Sequence, residues 1–194
     1  MAKKRSRSKP NSVKKARLNP RAIVGIGASA GGLEAVSELL ENLPEKTGMA
    51  FVYVQHLDPT HKSLLTPILS RVARIPVAEA KQGTRVEADH LYVIPPNKNM
   101  LIKDGVLQLA TRIGGEGRLV SIDNFFRSLA ADQRNRSIGI ILSGNASDGV
   151  LGLEEIKGEG GITFAQNEKS AKHSSMPHNA IMSARILVPS ATKL

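Results

Sequence analysis

Ala22-Ile23-Val24-Gly25-Ile26-Gly27-Ala28-Ser29-Ala30-Gly31 is an apolar run that closes on a G-x-S-x-G pentapeptide, Gly27 to Gly31. Leu33, Val36, Leu39 and Leu40 follow at helical spacing. The stretch reads as a buried strand, a sharp turn and an amphipathic helix. Glycine on both sides tolerates the turn and lets a substrate carbonyl approach the backbone. The serine is lifted off the end of a sheet toward the opening of a helix. Free N–H groups and the positive helix end there favour an oxyanion, the species formed when serine attacks an ester or amide.

Outward from this stretch, strands and helices alternate. Strands are expected at Ala22–Ile26, Ala50–Gln55, near Val77, at Leu91–Ile94, Ile138–Leu142, Ile162–Ala165 and Ile186–Val188. Helices are expected over Gly32–Asn42, Leu64–Val72 (opened by Ser63), Ser121–Ala131, Leu151–Lys157 and from Pro177 through Ala184. Met100–Ile102 and Val106–Leu109 flank Asp104-Gly105, a hairpin signal near residues 100–109. Gly114–Gly117 reads as a flexible loop, and no internal repeat is present. The alternation predicts an α/β fold: a doubly wound, Rossmann-like, mostly parallel sheet with helices on both faces. In such sheets ligands bind beyond the carboxyl ends of the strands, where strand order reverses.

Charge divides the chain unevenly. Residues 1–20 hold eight Lys or Arg and no acid, whereas the remainder holds 19 basic and 17 acidic residues. The first 20 residues lack aromatic side chains and cannot bury enough surface to fold alone. They are expected to be a disordered basic arm ahead of one catalytic-size domain, 21–194. Such an arm suits an acidic protein, an anionic lipid surface or nucleic acid equally. The chain has no cysteine, which excludes disulfides, thiolate metal sites and cysteine nucleophiles. No apolar run approaches the roughly 20 residues that span a bilayer. A cytoplasmic protein without membrane insertion is the expectation.

Three reactive residues follow three of the most apolar strands. Ser29 follows the first, His56 the second and Asp148 the third. Parallel strands bring all three to one rim, as a nucleophile, base and orienting acid. Each has an ordinary alternative: Ser29 as a helix cap, His56 as a satisfied strand-end residue, Asp148 as a turn or N-cap residue. Gly25-x-Gly27-x-x-x-Gly31 also approaches a dinucleotide fingerprint. That reading requires an acid at the end of the second strand, where Gln55-His56 stands instead. No metal site is expected, because His56/His61 and His173/His178 are spaced five apart and no H-E-x-x-H occurs.

From Ile23 to Val188 the chain resembles the catalytic domain of CheB-type protein-glutamate methylesterases of bacterial chemotaxis. The matching segments are Gly25–Gly32, Val52–Leu57, Leu91–Pro96, Ile122–Leu129, Ile140–Leu153, Gly160–Gln166 and Met176–Ile181. The wording is similar to the esterase modules of large proteins that also carry methyltransferase modules. The resemblance implies Ser29 as nucleophile, His56 as base and Asp148 as triad acid, with no cofactor. It implies hydrolysis of glutamate γ-methyl esters on receptor signalling helices, with glutamine deamidation as a second reaction. Ala30 and Asn145 N–H are the implied oxyanion donors. Receiver or methyltransferase modules acting in trans are the implied partners, since no phosphoacceptor module fits in the arm.

Two departures bear on the site. The family's T-G-M-G reads Ser143-Gly144-Asn145-Ala146, and its G-M-P-R reads Ser175-Met176-Pro177-His178. They keep open a second class of function, a non-catalytic scaffold in chemotaxis-like signalling.

Overall fold

The computed structural model describes residues 19–56, 63–111 and 121–184. Its elements in chain order are β1 (Ile23–Ala28), α1 (Gly32–Glu41), β2 (Ala50–Gln55), α2 (Leu65–Val72), β3 (Val77–Glu79), β4 (Thr84–Arg85), β5 (His90–Val93), β6 (Lys98–Lys103), β7 (Val106–Thr111), α3 (Ser121–Gln133), β8 (Ser137–Ile141), α4 (Val150–Gly158), β9 (Ile162–Ala165) and α5 (Ser175–Ala184). Six strands form one sheet in the order β3-β5-β2-β1-β8-β9. Every pairing in it is parallel. From β1 the chain passes to its neighbour β2, goes out to the edge strand β3, comes back to β5 between them, and then crosses to β8 on the other side of β1. The reversal between β1 and β8 opens a crevice at the carboxyl edge.

Each face of the sheet is covered. Val24, Ile26, Phe51, Tyr53, Leu91 and Val93 pack with Val36 and Leu40 of α1 and Leu65 and Leu69 of α2. Val52, Val54 and Ile141 face the opposite layer with Ile122, Phe125, Phe126 and Leu129 of α3 and Leu153 and Ile156 of α4. Alternate residues of one strand serve opposite layers, as the pleat requires.

Gly25 and Gly27 belong to this packing. A Cβ on Gly25 would lie 2.8 Å from Phe126 Cε1, and one on Gly27 would lie 2.4 Å from Ile122 Cγ2. The two glycines let α3 press directly on β1. They thus serve helix–sheet contact, which accounts for the G-x-G spacing without a nucleotide.

The expected hairpin is larger than its signal. β6 and β7 pair over 98–111, and β4 adds a third antiparallel strand. Two residues are too few to show a period, so β4 left no trace in the sequence. Asp104 and Gly105 turn with φ of 53° and 69°, the left-handed pair a tight hairpin needs. Met100, Ile102 and Leu107 are buried against the α3 layer. Helix α5 begins at Ser175, two residues before Pro177, because proline is tolerated anywhere in the first turn where no N–H is used. Helix α2 begins at Leu65, whose N–H donates to Ser63 Oγ at 3.2 Å. The Gly114–Gly117 loop, the Ile186–Val188 strand and the basic arm to residue 18 lie outside the described residues.

The close approach of α3 gives a direct test. Gly27→Val is expected to destabilise the domain by about 1–3 kcal/mol through overpacking against Ile122 and Ile141. Thermal unfolding measures this, and an unchanged Tm would contradict the packing.

Candidate active site

Ser29 follows β1 directly, and the chain turns through Ala30 and Gly31 into α1. Gly31 is left-handed, at φ 72°. A Cβ there would be 2.7 Å from Ser143 Oγ and 2.9 Å from Lys172 Cβ. Gly31, not Ser29, occupies the N-cap position of α1.

The turn is held through its backbone. Ser29 N–H donates to Ser143 O at 3.0 Å, and Ser29 O accepts Gly32 N–H at 3.0 Å and Gln55 Nε2 at 3.3 Å. Gln55 is itself oriented, since the Tyr53 hydroxyl donates to its Oε1 at 2.6 Å. Burial, aided by the Glu34 charge, pushes the Tyr53 phenol far above its usual range and keeps it a donor. Ser143 Oγ donates to Ala30 O at 2.8 Å and accepts His173 N–H at 2.9 Å. Gly144 backs onto the serine, for a Cβ on it would lie 3.0 Å from Ser29 Cβ and 2.2 Å from Met176 Sδ.

Across the crevice, His56 Nε2 lies 2.7 Å from Asp148 Oδ2. Their side chains are 10% and 3% exposed, so the contact is largely withheld from water. Asp148 Oδ2 also accepts Ile122 N–H at 3.0 Å, and Oδ1 accepts Asp123 N–H at 2.9 Å. These N–H groups belong to the open first turn of α3, which favours a carboxylate by charge and by hydrogen bonding. A carboxylate oxygen facing Nε2 makes that nitrogen the donor and leaves the Nδ1 lone pair as the basic site. The ring is thus reversed relative to the serine-protease arrangement, in which Nδ1 faces the acid.

The predicted trio is partly assembled. His56 and Asp148 are paired. Among the described residues no hydrogen bond joins Ser29 Oγ to the His56 ring. Among the described residues no buried side-chain oxygen or nitrogen lacks a partner, so the half-buried Ser29 hydroxyl, which has none there, reaches solvent. Ala30 and Asn145 flank the serine turn, one after β1 and one after β8. Neither of their N–H groups donates to another described residue. His178, where the family wording has arginine, pairs with Glu168 at 3.1 Å, both about half exposed.

Asp123 was not singled out in the sequence, though it is the acid in the first turn of a helix whose neighbours are apolar. Its Oδ1 accepts Gly152 N–H at 2.8 Å in the first turn of α4. Asp148 precedes α4 and caps α3, while Asp123 lies in α3 and caps α4. Each carboxylate therefore closes the other's helix. Gln55 and Ser143 were likewise visible only as motif letters, because their partners are 26 and 113 residues away.

Burial pushes Asp123 up, with the Asp148 charge adding to it and Gly152 N–H opposing. A carboxyl raised on folding contributes stability only while protonated. That contribution is full below the unfolded value of about 4 and is lost as pH rises through the higher folded value. Wild type is therefore expected to lose Tm relative to Asp123→Asn as pH increases from about 4. A constant difference would refute the effect.

The family model for CheB methylesterase matches residues 24–192. A Leptospira interrogans protein is 34% identical over 165 residues, covering 84% of this chain and 85% of that protein. A Photorhabdus laumondii protein-glutamate methylesterase/protein-glutamine glutaminase is 35% identical over 168 residues, 84% of this chain and 48% of its own. A Burkholderia lata protein of the same type, numbered 3, is 37% identical over 163 residues, 82% and 45%. The chain thus spans about half the length of the latter two relatives. The crystal structure of the Thermotoga maritima CheB methylesterase catalytic domain superposes with a TM-score of 0.76 at 24% identity, covering 86% of this chain and 90% of that one, a likeness of fold. With the family model matched over residues 24–192, and relatives above 30% identity over most of the chain's length, the chain belongs to the CheB methylesterase family.

Proposed function

We propose that this chain hydrolyses glutamate γ-methyl esters on receptor-type proteins, with Ser29 as nucleophile, His56 as base and Asp148 as orienting acid. The observation that carries this is the His56–Asp148 contact of 2.7 Å at the same carboxyl edge as the solvent-reaching Ser29 hydroxyl. Ser29 Oγ attacks the ester carbonyl carbon and its proton passes to His56 Nδ1. Asp148 stabilises the imidazolium through Nε2–H. Ala30 and Asn145 N–H receive the charge that develops on the carbonyl oxygen. His56 returns the proton to the leaving methoxy oxygen, and methanol departs. Water, activated by the same ring, then cleaves the acyl-enzyme to a glutamate carboxylate and free Ser29. With a glutamine side chain the same steps release ammonia. No step draws on a cofactor. The lack of a Ser29–His56 hydrogen bond among the described residues is compatible with these steps, because catalytic hydrogen bonds often tighten only when substrate binds.

The substrate would be the methylated signalling helices of receptors, met in the cytoplasm. Among the described residues no helix is long and apolar enough to cross a membrane. Within this reading residues 21–194 form the catalytic unit. The basic arm, 1–20, offers an acidic partner a contact, and receiver or methyltransferase modules would act in trans.

Ser29→Ala is expected to lower methanol release from a glutamate γ-methyl ester peptide by about a thousandfold or more, with Tm unchanged. A fluorophosphonate should label wild type at position 29. Undiminished release by Ser29→Ala would overturn the assignment, and silence of the wild type toward both reagents would favour a scaffold. Asp148→Asn is expected to lower kcat by about a hundredfold to ten-thousandfold. It should also cost about 1–3 kcal/mol of stability, because the amide cannot accept the two α3 N–H bonds and the ring together.

A further inference from the structure

Ala146 has φ 74°, in the left-handed region that an L side chain rarely occupies. It falls where the family wording carries glycine, and Ser175 falls at another such glycine. These two departures meet in space. Ala146 N–H donates to Ser175 Oγ at 3.1 Å, and Ser175 Oγ also lies 3.4 Å from Ala146 O. Asn179 Nδ2 donates to Ala146 O at 2.9 Å. Ser175 and Asn179 are four residues apart on α5 and so share a face. That helix is anchored by Met176 and Ala180, both fully buried. Both polar groups of the Ala146 backbone are therefore gripped by side chains of one fixed helix.

The grip has a target one residue earlier. Gly144 O accepts Met176 N–H at 3.0 Å, and Gly144 N–H donates to His173 O at 2.9 Å. In a trans peptide the N–H points opposite to the C=O. Asn145 N–H is thus turned away from α5, on a peptide whose glycine backs onto Ser29. The Asn145 peptide is held on its leading side by Met176 and on its trailing side by Ser175 and Asn179.

We propose that Ser175 and Asn179 are positioning residues that keep Ala146 left-handed and so fix the Asn145 N–H as an oxyanion donor. The proposal rests on the esterase reading given above. A glycine at 146 adopts the left-handed conformation without help, so the need for the clamp should vanish there.

The test is a cycle on a glutamate γ-methyl ester peptide. In the wild-type background, Ser175→Ala with Asn179→Ala is expected to lower kcat by about tenfold or more, with KM within about twofold. In an Ala146→Gly background the same pair should change kcat by less than about twofold. Ser175→Thr, which keeps the hydroxyl, should retain more activity than Ser175→Ala. The positions are on the surface or half-buried, and circular dichroism checks that each variant folds. Ser29-dependent turnover in wild type, with equal losses in both backgrounds or a loss confined to KM, would overturn the clamp and leave the esterase reading intact. Absence of any Ser29-dependent turnover in wild type would overturn the esterase reading, and the clamp's role with it.

Discussion

One carboxylate, that of Asp148, joins the open end of α3 to the His56 ring. Without it, two N–H groups at the buried start of α3 would lose their acceptor, and the ring would lose its fixed orientation. Burying such a group unpaired costs on the order of 1–3 kcal/mol. The helix supplies the acid with hydrogen bonds and a favourable field, and the acid passes that order to the imidazole. Asp123 makes the arrangement reciprocal by closing α4 from within α3. The interlock couples fold to chemistry, because the elements that bury the core are the ones that aim the base.

The nucleophile side is built differently. Ser29 is held by backbone groups and by close packing, not by charge. The turn lies against Ser143 and Gly144, and the absence of a side chain at Gly144 leaves room for the serine. Gln55 brings the end of β2 to the same turn. Three adjacent parallel strands, β2, β1 and β8, thus deliver their carboxyl ends to one mouth. The strand-order reversal lies beside β1 at that mouth, where sheets of this kind bind ligands. A membership in the CheB methylesterase family and a mouth of this composition are mutually supportive.

Much of the architecture was legible because the signals were local and strong. Apolar strands without alternation are buried on both faces, and β1, β2 and β8 were placed within one or two residues. Asp104-Gly105 announced a hairpin because few residue pairs accept two left-handed conformations in succession. What escaped was short or relational. β4 has two residues and no period. Helix α5 starts earlier than Pro177 because proline restricts only the interior of a helix. The glycines of the G-x-G spacing looked like a phosphate cradle. Contact with Phe126 and Ile122, about a hundred residues later, explains them instead.

The sequence by itself determined the doubly wound α/β class and the candidate trio of Ser29, His56 and Asp148. Both follow from residue periodicity and from the rule that strand carboxyl ends form the functional edge. Only the tertiary structure decided that His56 presents Nε2 to Asp148, that Asp123 and Asp148 cap each other's helices, and that α5 grips Ala146. These hydrogen bonds connect residues 25 to 92 positions apart. Their existence depends on distances of a few ångströms that no local pattern encodes, because only the closed sheet brings those groups together.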